Sequence, residues 1–236
     1  TFVCNGQLGL SLATVYMNAF TAETRNRIKD FEGQEIHTGA GVCIVKVHYP
    51  FRRAYDLSER LTKSAKNYLK TDKRKASAMD WHISSTGLSG TLKAIRDREY
   101  AVYLPESKDR EEMSMLLMRP VRMRHATEWR TWENFNHFVA TLNYDNRWAE
   151  HRNKIKSLRE ALRGGVASVK EFLALNKLTG AEEQQNKTGE TLLPAVLNDQ
   201  GGRLHETGWE SGRCVYFDAI EAMDHHFLLG EVADAG

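Results

Sequence analysis

Near the carboxyl end of the sequence, Asp218, Glu221, Asp224, His225 and His226 set three acids at steps of three with two imidazoles beside them. On a helix such residues share a face, and carboxylates with imidazoles are donors that zinc and other transition metals accept. The plainer use of such a face is contact with water, and that is the use expected here. Asp80 and His82 stand two residues apart on one side of a strand, and Asp97 would make a metal trio of them, but no spacing rule ties the three together. Arg52 and Arg53 follow Pro50 at the start of a helix. Backbone N–H groups there already favour anions, so the pair is either a phosphate holder or a solvated first turn. Two basic clusters, Lys63, Lys66, Lys70, Lys73, Arg74 and Lys75, then Arg119, Arg122, Arg124 and Arg130 with His125 between, are either solvated faces or phosphate-facing surfaces. Trp129, Trp132, Phe135 and Phe138 have rings that can stack on bases, yet steps of three and four predict burial in a helical core. Cys4, Cys43 and Cys214 stand singly, which suggests buried reduced thiols and neither a zinc cage nor a disulfide framework.

The elements that position these residues follow from periodicity. Leu8, Leu12, Val15 and Ala19 put an apolar stripe on a helix over residues 7–30. The β-branched run at 40–48, with Val42, Ile44, Val45 and Val47 between glycines and Pro50, predicts a central strand. A helix follows to about Leu69 on Leu57, Leu61, Ala65 and Tyr68. Alternation over 76–85 predicts a half-buried strand, with a strand near 100–104 pairing beside it. Beyond Pro120 the stripes are helical: Trp132, Phe135, Val139 and Leu142, then Ile155, Leu158 and Leu162 up to Gly164 and Gly165, then Val166, Val169, Phe172 and Leu173. Residues 177–212 are polar and read as a long mobile loop, and a last helix spans 213–229.

A chain of 236 residues, 41% hydrophobic and 27% charged, has the composition of folded soluble domains, and its net charge of +2 does not announce nucleic acid. No apolar run approaches the roughly 20 residues of a membrane span, so a soluble, cytoplasmic protein is expected. A first residue of Thr and a strand-like start at residues 1–4 suggest a piece of something longer.

The segment GAGVCIVKVHYPFRRAYDLSERLTKSAK, from Gly39 to Lys66, resembles the second palm domain in the large subunit of type III CRISPR effectors, a relative of the GGDEF cyclases. The tail VYFDAIEAMDHH is similar to segments near the end of such palm-plus-helical regions. The resemblance covers residues 1–103 well and the remainder in patches. It implies an α+β fold: a ferredoxin-like palm sheet at residues 1–105 with helices on one face, followed by a mainly helical domain at 106–236. It places residues 1–4 on the strand leaving a GGDD hairpin, so that the acidic pair holding Mg²⁺ would lie just before position 1. No GGDD or GGDEF string occurs in the sequence, and the chain alone is expected not to turn over ATP with Mg²⁺.

By the same resemblance Lys66 is the lysine that contacts the triphosphate of the incoming nucleotide, a suitable use for an ammonium point charge. His48 and Arg53 are expected to face the same cleft. The implied activity is that of a nucleotidyltransferase joining ATP into cyclic or short oligoadenylate signals in antiviral defence, with guide or target RNA and other effector subunits as partners. A palm scaffold that binds RNA or subunits without turnover is the alternative, and an unrelated metabolite-binding α+β protein is a third.

Overall fold

Glycines at 39 and 41 decide how the first part of the molecule is layered. The computed structural model describes residues 1–27, 36–70, 76–84, 90–107, 110–124, 128–176, 192–197 and 204–227. In it helix α1 (Gly9–Arg27) leads to strand β1 (Gly39–Ile44), which runs under helix α2 (Phe51–Lys70). A Cβ on Gly41 would stand 2.3 Å from both the Ser58 carbonyl oxygen and the Thr62 amide nitrogen. Only a residue without a side chain lets a helix backbone lie so close to a strand. Leu57, Leu61, Ala65 and Leu69 recur every four residues along α2 and are all buried. The first two pack on Ile95 of helix α3 (Leu92–Glu99), with Cys43, Tyr49 and Leu92 at the margin, and the last two pack on Ala78.

The other face of β1 belongs to α1 and the 3₁₀ turn Gly6–Leu8 before it. Cβ atoms on Gly9 and Gly6 would meet Val42 Cγ1 at 3.3 Å and Ile44 Cγ2 at 3.0 Å. Side chains alternate along a strand, so positions 39, 41 and 43 meet α2 while 42 and 44 meet α1. The expected arrangement, with both helices on one face, is replaced by helix, strand layer and helix. The buried side of α1 also differs from the expected stripe. Leu10, Ala13 and Met17 are buried, whereas Val15 and Tyr16 are 54% and 62% exposed.

Strand β2 (Ala78–Ile83) pairs parallel to β1 from Gly39↔Ala78 to Ile44↔Ile83, so β1, α2 and β2 form a crossover unit. On the far side of β2 lies the short strand β5 (Val121–Arg122), antiparallel to it. The order β1-β2-β5 puts β1 at an edge and β2 in the centre, the reverse of the expected placing of the 40–48 strand, although a helix over each face leaves β1 half-buried. All six β2 residues are buried, because both its faces are covered; alternation in sequence does not by itself expose one side. Residues 1–5 have no regular structure, in place of the expected strand.

The chain is a mixed α+β protein with small mixed sheets. It divides into two compact units: Thr1–Ile95 with Arg119–His125 and Glu221–Gly236, and Arg96–Met118 with Ala126–Ile220. This differs from a single cut near residue 105. The second unit carries a small sheet beside its helices. Strand β3 (Ala101–Ser107) pairs with β4 (Arg110–Met115), and not with β2 as expected; β4 meets β7 (Arg213–Cys214), which pairs with β6 (Trp209–Glu210). Helix α4 (Trp132–Tyr144) starts at Thr131, whose side chain accepts from the Asn134 amide. Helix α5 (Arg152–Arg163) stops at Gly164 and Gly165, and α6 (Val166–Leu175) follows. At φ 83°, Gly165 has a backbone that a side chain would strain.

The expected last helix begins later, at Phe217, and ends at Ala222. The reason is a hairpin. Ser211 and Gly212, at φ 48° and 70°, make a two-residue turn of the I′ kind, which draws Arg213 and Cys214 into the ladder. Of the polar stretch expected to be a mobile loop, residues 177–191 and 198–203 lie outside the described residues. The piece 192–197 is anchored: Leu192, Leu193 and Val196 are buried, Trp148 Nε1 donates to the Leu192 carbonyl at 3.0 Å, and the Tyr216 hydroxyl donates to the Pro194 carbonyl at 2.8 Å.

Candidate functional site

In the first unit the turn after β1 closes when the Tyr49 amide donates to the Lys46 carbonyl at 2.9 Å, and the Pro50 carbonyl then accepts from Arg53 and Ala54 to start α2. This end of the crossover unit presents His48, Phe51, Arg52 and Arg53 to solvent, and no acidic residue stands in the first turn of α2. Unsatisfied amides and the helix dipole make such a turn attractive to anions. Burial raises the Tyr49 phenol, the nearby Cys43 adds to the rise, and the Arg53 guanidinium opposes it, which places Arg53 beside Tyr49.

Lys66 is exposed and stands elsewhere. It comes 13 residues after Arg53 on the same helix, about 20 Å further along its axis at 1.5 Å per residue. A Cβ on Gly39 would meet its Cγ at 2.7 Å, so its stem crosses the amino end of β1 while His48 and Arg53 stand beyond the carboxyl end. The structure thus groups His48 with Arg52 and Arg53 and separates them from Lys66. Lys73, Arg74, Lys75 and His125 lie outside the described residues.

The remaining candidates are occupied structurally. Asp80 and His82 share the α2 side of β2, are fully buried, and one Asp80 carboxylate oxygen accepts from the Trp81 amide at 2.9 Å. In that same layer burial pushes the Cys43 thiol up to about 12, so it is not an activated nucleophile. Arg119, expected on a basic surface, is buried in the first unit, pairs with Glu221 at 2.9 Å and lies 5.5 Å over the Trp81 ring. Arg122 lies 4.7 Å over Tyr68. In the second unit Arg130 donates to the Met118 carbonyl at 2.6 Å.

The acid and histidine run near the end also disperses. Asp218 is buried and accepts from the Met118 amide at 2.9 Å, Asp224 and His225 are exposed, and His226 is buried against Ser11 at 3.3 Å. Among the described residues no three His, Cys, Asp or Glu side chains are grouped to hold a metal. Trp132, Phe135 and Phe138 are core residues; Trp132 stacks on Phe135 at 5.1 Å. Among the described residues no helix is long and apolar enough to cross a membrane.

Compared with known proteins, the chain matches no family model, and among curated proteins it has no match.

Proposed function

We propose that the first unit is a nucleotide-binding, palm-type module whose phosphate-facing end is the turn from His48 to Arg53. The observation that carries this reading is the parallel crossover β1-α2-β2, with two arginines and no acid in the first turn of the crossover helix. In open sheets with parallel strands, ligands gather beyond the carboxyl ends of the strands, where helix N-termini receive phosphate. ATP is the substrate on this reading, and a cyclic or short oligoadenylate signal of CRISPR-type defence is the product, a role resting on the resemblance over residues 39–66. The Mg²⁺-holding acids of such a palm would come from a segment other than the described residues.

Charge-assisted contacts contribute about 1.5–3 kcal/mol each, so Arg52→Ala with Arg53→Ala should weaken ATP binding by roughly a hundredfold or more. Lys66→Ala should cost less than threefold, about the scale of an exposed charge. Calorimetric titration of ATP into the three proteins decides. A larger loss for Lys66→Ala would move the phosphate site to the other end of α2. The separation of Lys66 from the arginines favours a second reading, a palm scaffold without turnover, and the absence of ATP binding by the wild-type chain would select it.

A further inference from the structure

Helix α5 carries Arg152, Lys154, Lys156, Arg159 and Arg163 against the single carboxylate of Glu160, in a chain whose cations and anions nearly cancel at 33 and 31. Arg152, Lys156, Arg159 and Arg163 recur at i, i+4, i+7 and i+11. At about 100° and 1.5 Å per residue they fall within an arc of about 60° and form one row about 16 Å long. The row borders the buried stripe Ile155, Leu158 and Leu162; Arg152, Lys156 and Arg159 are exposed and Arg163 is half-buried.

Helix stability does not ask for this row. Like charges three and four residues apart destabilise a helix. Cations in a first turn oppose the dipole, that turn contains no acidic residue of its own, and His151 at the N-cap makes no side-chain cap bond. Two members are held in place: the guanidinium carbons of Arg159 and Arg163 lie 5.4 and 4.9 Å over the Phe217 ring. Covering Phe217 is a use for those two. Arg152 and Lys156 continue the row beyond them.

We propose that this row is a docking surface for the phosphate backbone of a nucleic acid. Four cations in line complement a regular polyanion, whose affinity rises with the number of phosphates neutralised. A membrane surface is the poorer match, because the large apolar residues of α5 face inward and leave none to insert. A folded acidic protein is also the poorer match, since the row has no apolar or aromatic anchor for an interface core. The proposal stands on second-unit residues and does not depend on ATP binding at α2.

The test is fluorescence anisotropy of a labelled single-stranded RNA of about 20 nucleotides against the full chain, at several salt concentrations. Removing two contacts with Arg152→Gln and Lys156→Gln should lower the slope of log affinity against log salt by about 1.4 and weaken binding about tenfold near 0.1 M salt. Arg60→Gln with Lys63→Gln on α2 should change affinity less than twofold. Arg152→Lys with Lys156→Arg keeps the charges and should bind as the wild type does. Equal losses for the α5 and α2 pairs, unchanged affinity for the α5 pair, failure of the charge-keeping variant, or binding to phosphatidylserine vesicles but not to RNA would each overturn the proposal. ATP titration of the α5 variant should match the wild type, so that a failure of the nucleotide reading registers separately.

Discussion

Helices α1 and α2 pack on opposite faces of one strand, yet only α2 buries the stripe its sequence advertises. Along α2, Leu57, Leu61, Ala65 and Leu69 are separated by Glu, Arg and Lys with smaller polar residues, so one face alone can leave water at little cost. From Gly9 to Ala22, α1 has no charged residue, and either side of it could have been turned inward. The choice fell to its neighbours. Gly6 and Gly9 let Ile44 and Val42 approach, and that contact brings Leu10, Ala13 and Met17 into the core and leaves Val15 and Tyr16 outside. Polar contrast selects a face from within a helix; without it, the partner's shape selects.

This comparison breaks most readily at the strand. Gly41→Ala should destabilise the first unit by about 3 kcal/mol or more, because its Cβ would meet helix backbone, which cannot swing aside as a side chain can. Leu61→Ala should cost about 2–4 kcal/mol as a buried truncation on α2. Urea denaturation of both variants checks these values, and a loss below about 1 kcal/mol for Gly41→Ala would mean that α2 does not lie on β1 as described.

A smaller effect comes from the α1 side. Burial pushes the His226 imidazole, which faces Ser11, down to about 4. The folded state resists a proton that the unfolded chain takes near pH 6.5. The resulting stability is complete above about pH 6.5 and is lost as pH falls from there toward about pH 4, by up to about 3 kcal/mol. His137 in the second unit, also lowered by burial, acts in the same direction. His226→Gln should flatten the decline in unfolding free energy between about pH 7 and about pH 4.5; an unchanged decline would assign it to other groups. The smallest effect sharpens the contrast itself: Val15→Lys and Tyr16→Lys should each change stability by no more than about 0.5 kcal/mol. A loss above about 2 kcal/mol would show that the outer side of α1 is covered after all.

Legibility in the sequence followed the same physics. The strand and helix after Gly39 and the helical stripes at Trp132, Ile155 and Val166 were readable because polar and apolar positions contrast sharply there. The faces of β1, the edge position of that strand and the split into two interleaved units were not, since they depend on pairings between distant segments. The dipeptide Ser211-Gly212 is a turn signal that identifies the β6/β7 hairpin, and the long helical periodicity after it concealed the break. For the candidate site, Arg52 and Arg53 were legible as a helix start beside Pro50. The distance of Lys66 from them follows from helix rise alone, but the expected cleft held Lys66, His48 and Arg53 together. The cationic row of α5 was present in the spacing and is masked by a net charge that averages the whole chain.

The division of the first unit among separate stretches has a consequence for how the protein is made. Synthesis delivers β1, α2 and β2 early, but β5 comes only with residues 121–122, and the Ser11 hydroxyl donates to the carbonyl of Phe227, 216 positions later. Buried Arg119 likewise meets Glu221 across 102 positions. Contacts between such remote positions close slowly, because a long loop must be ordered before they form. The first unit therefore cannot be completed while residues 96–118 are still being translated. Removing residues 221–227 would reopen the unit that β1, α2 and β2 began.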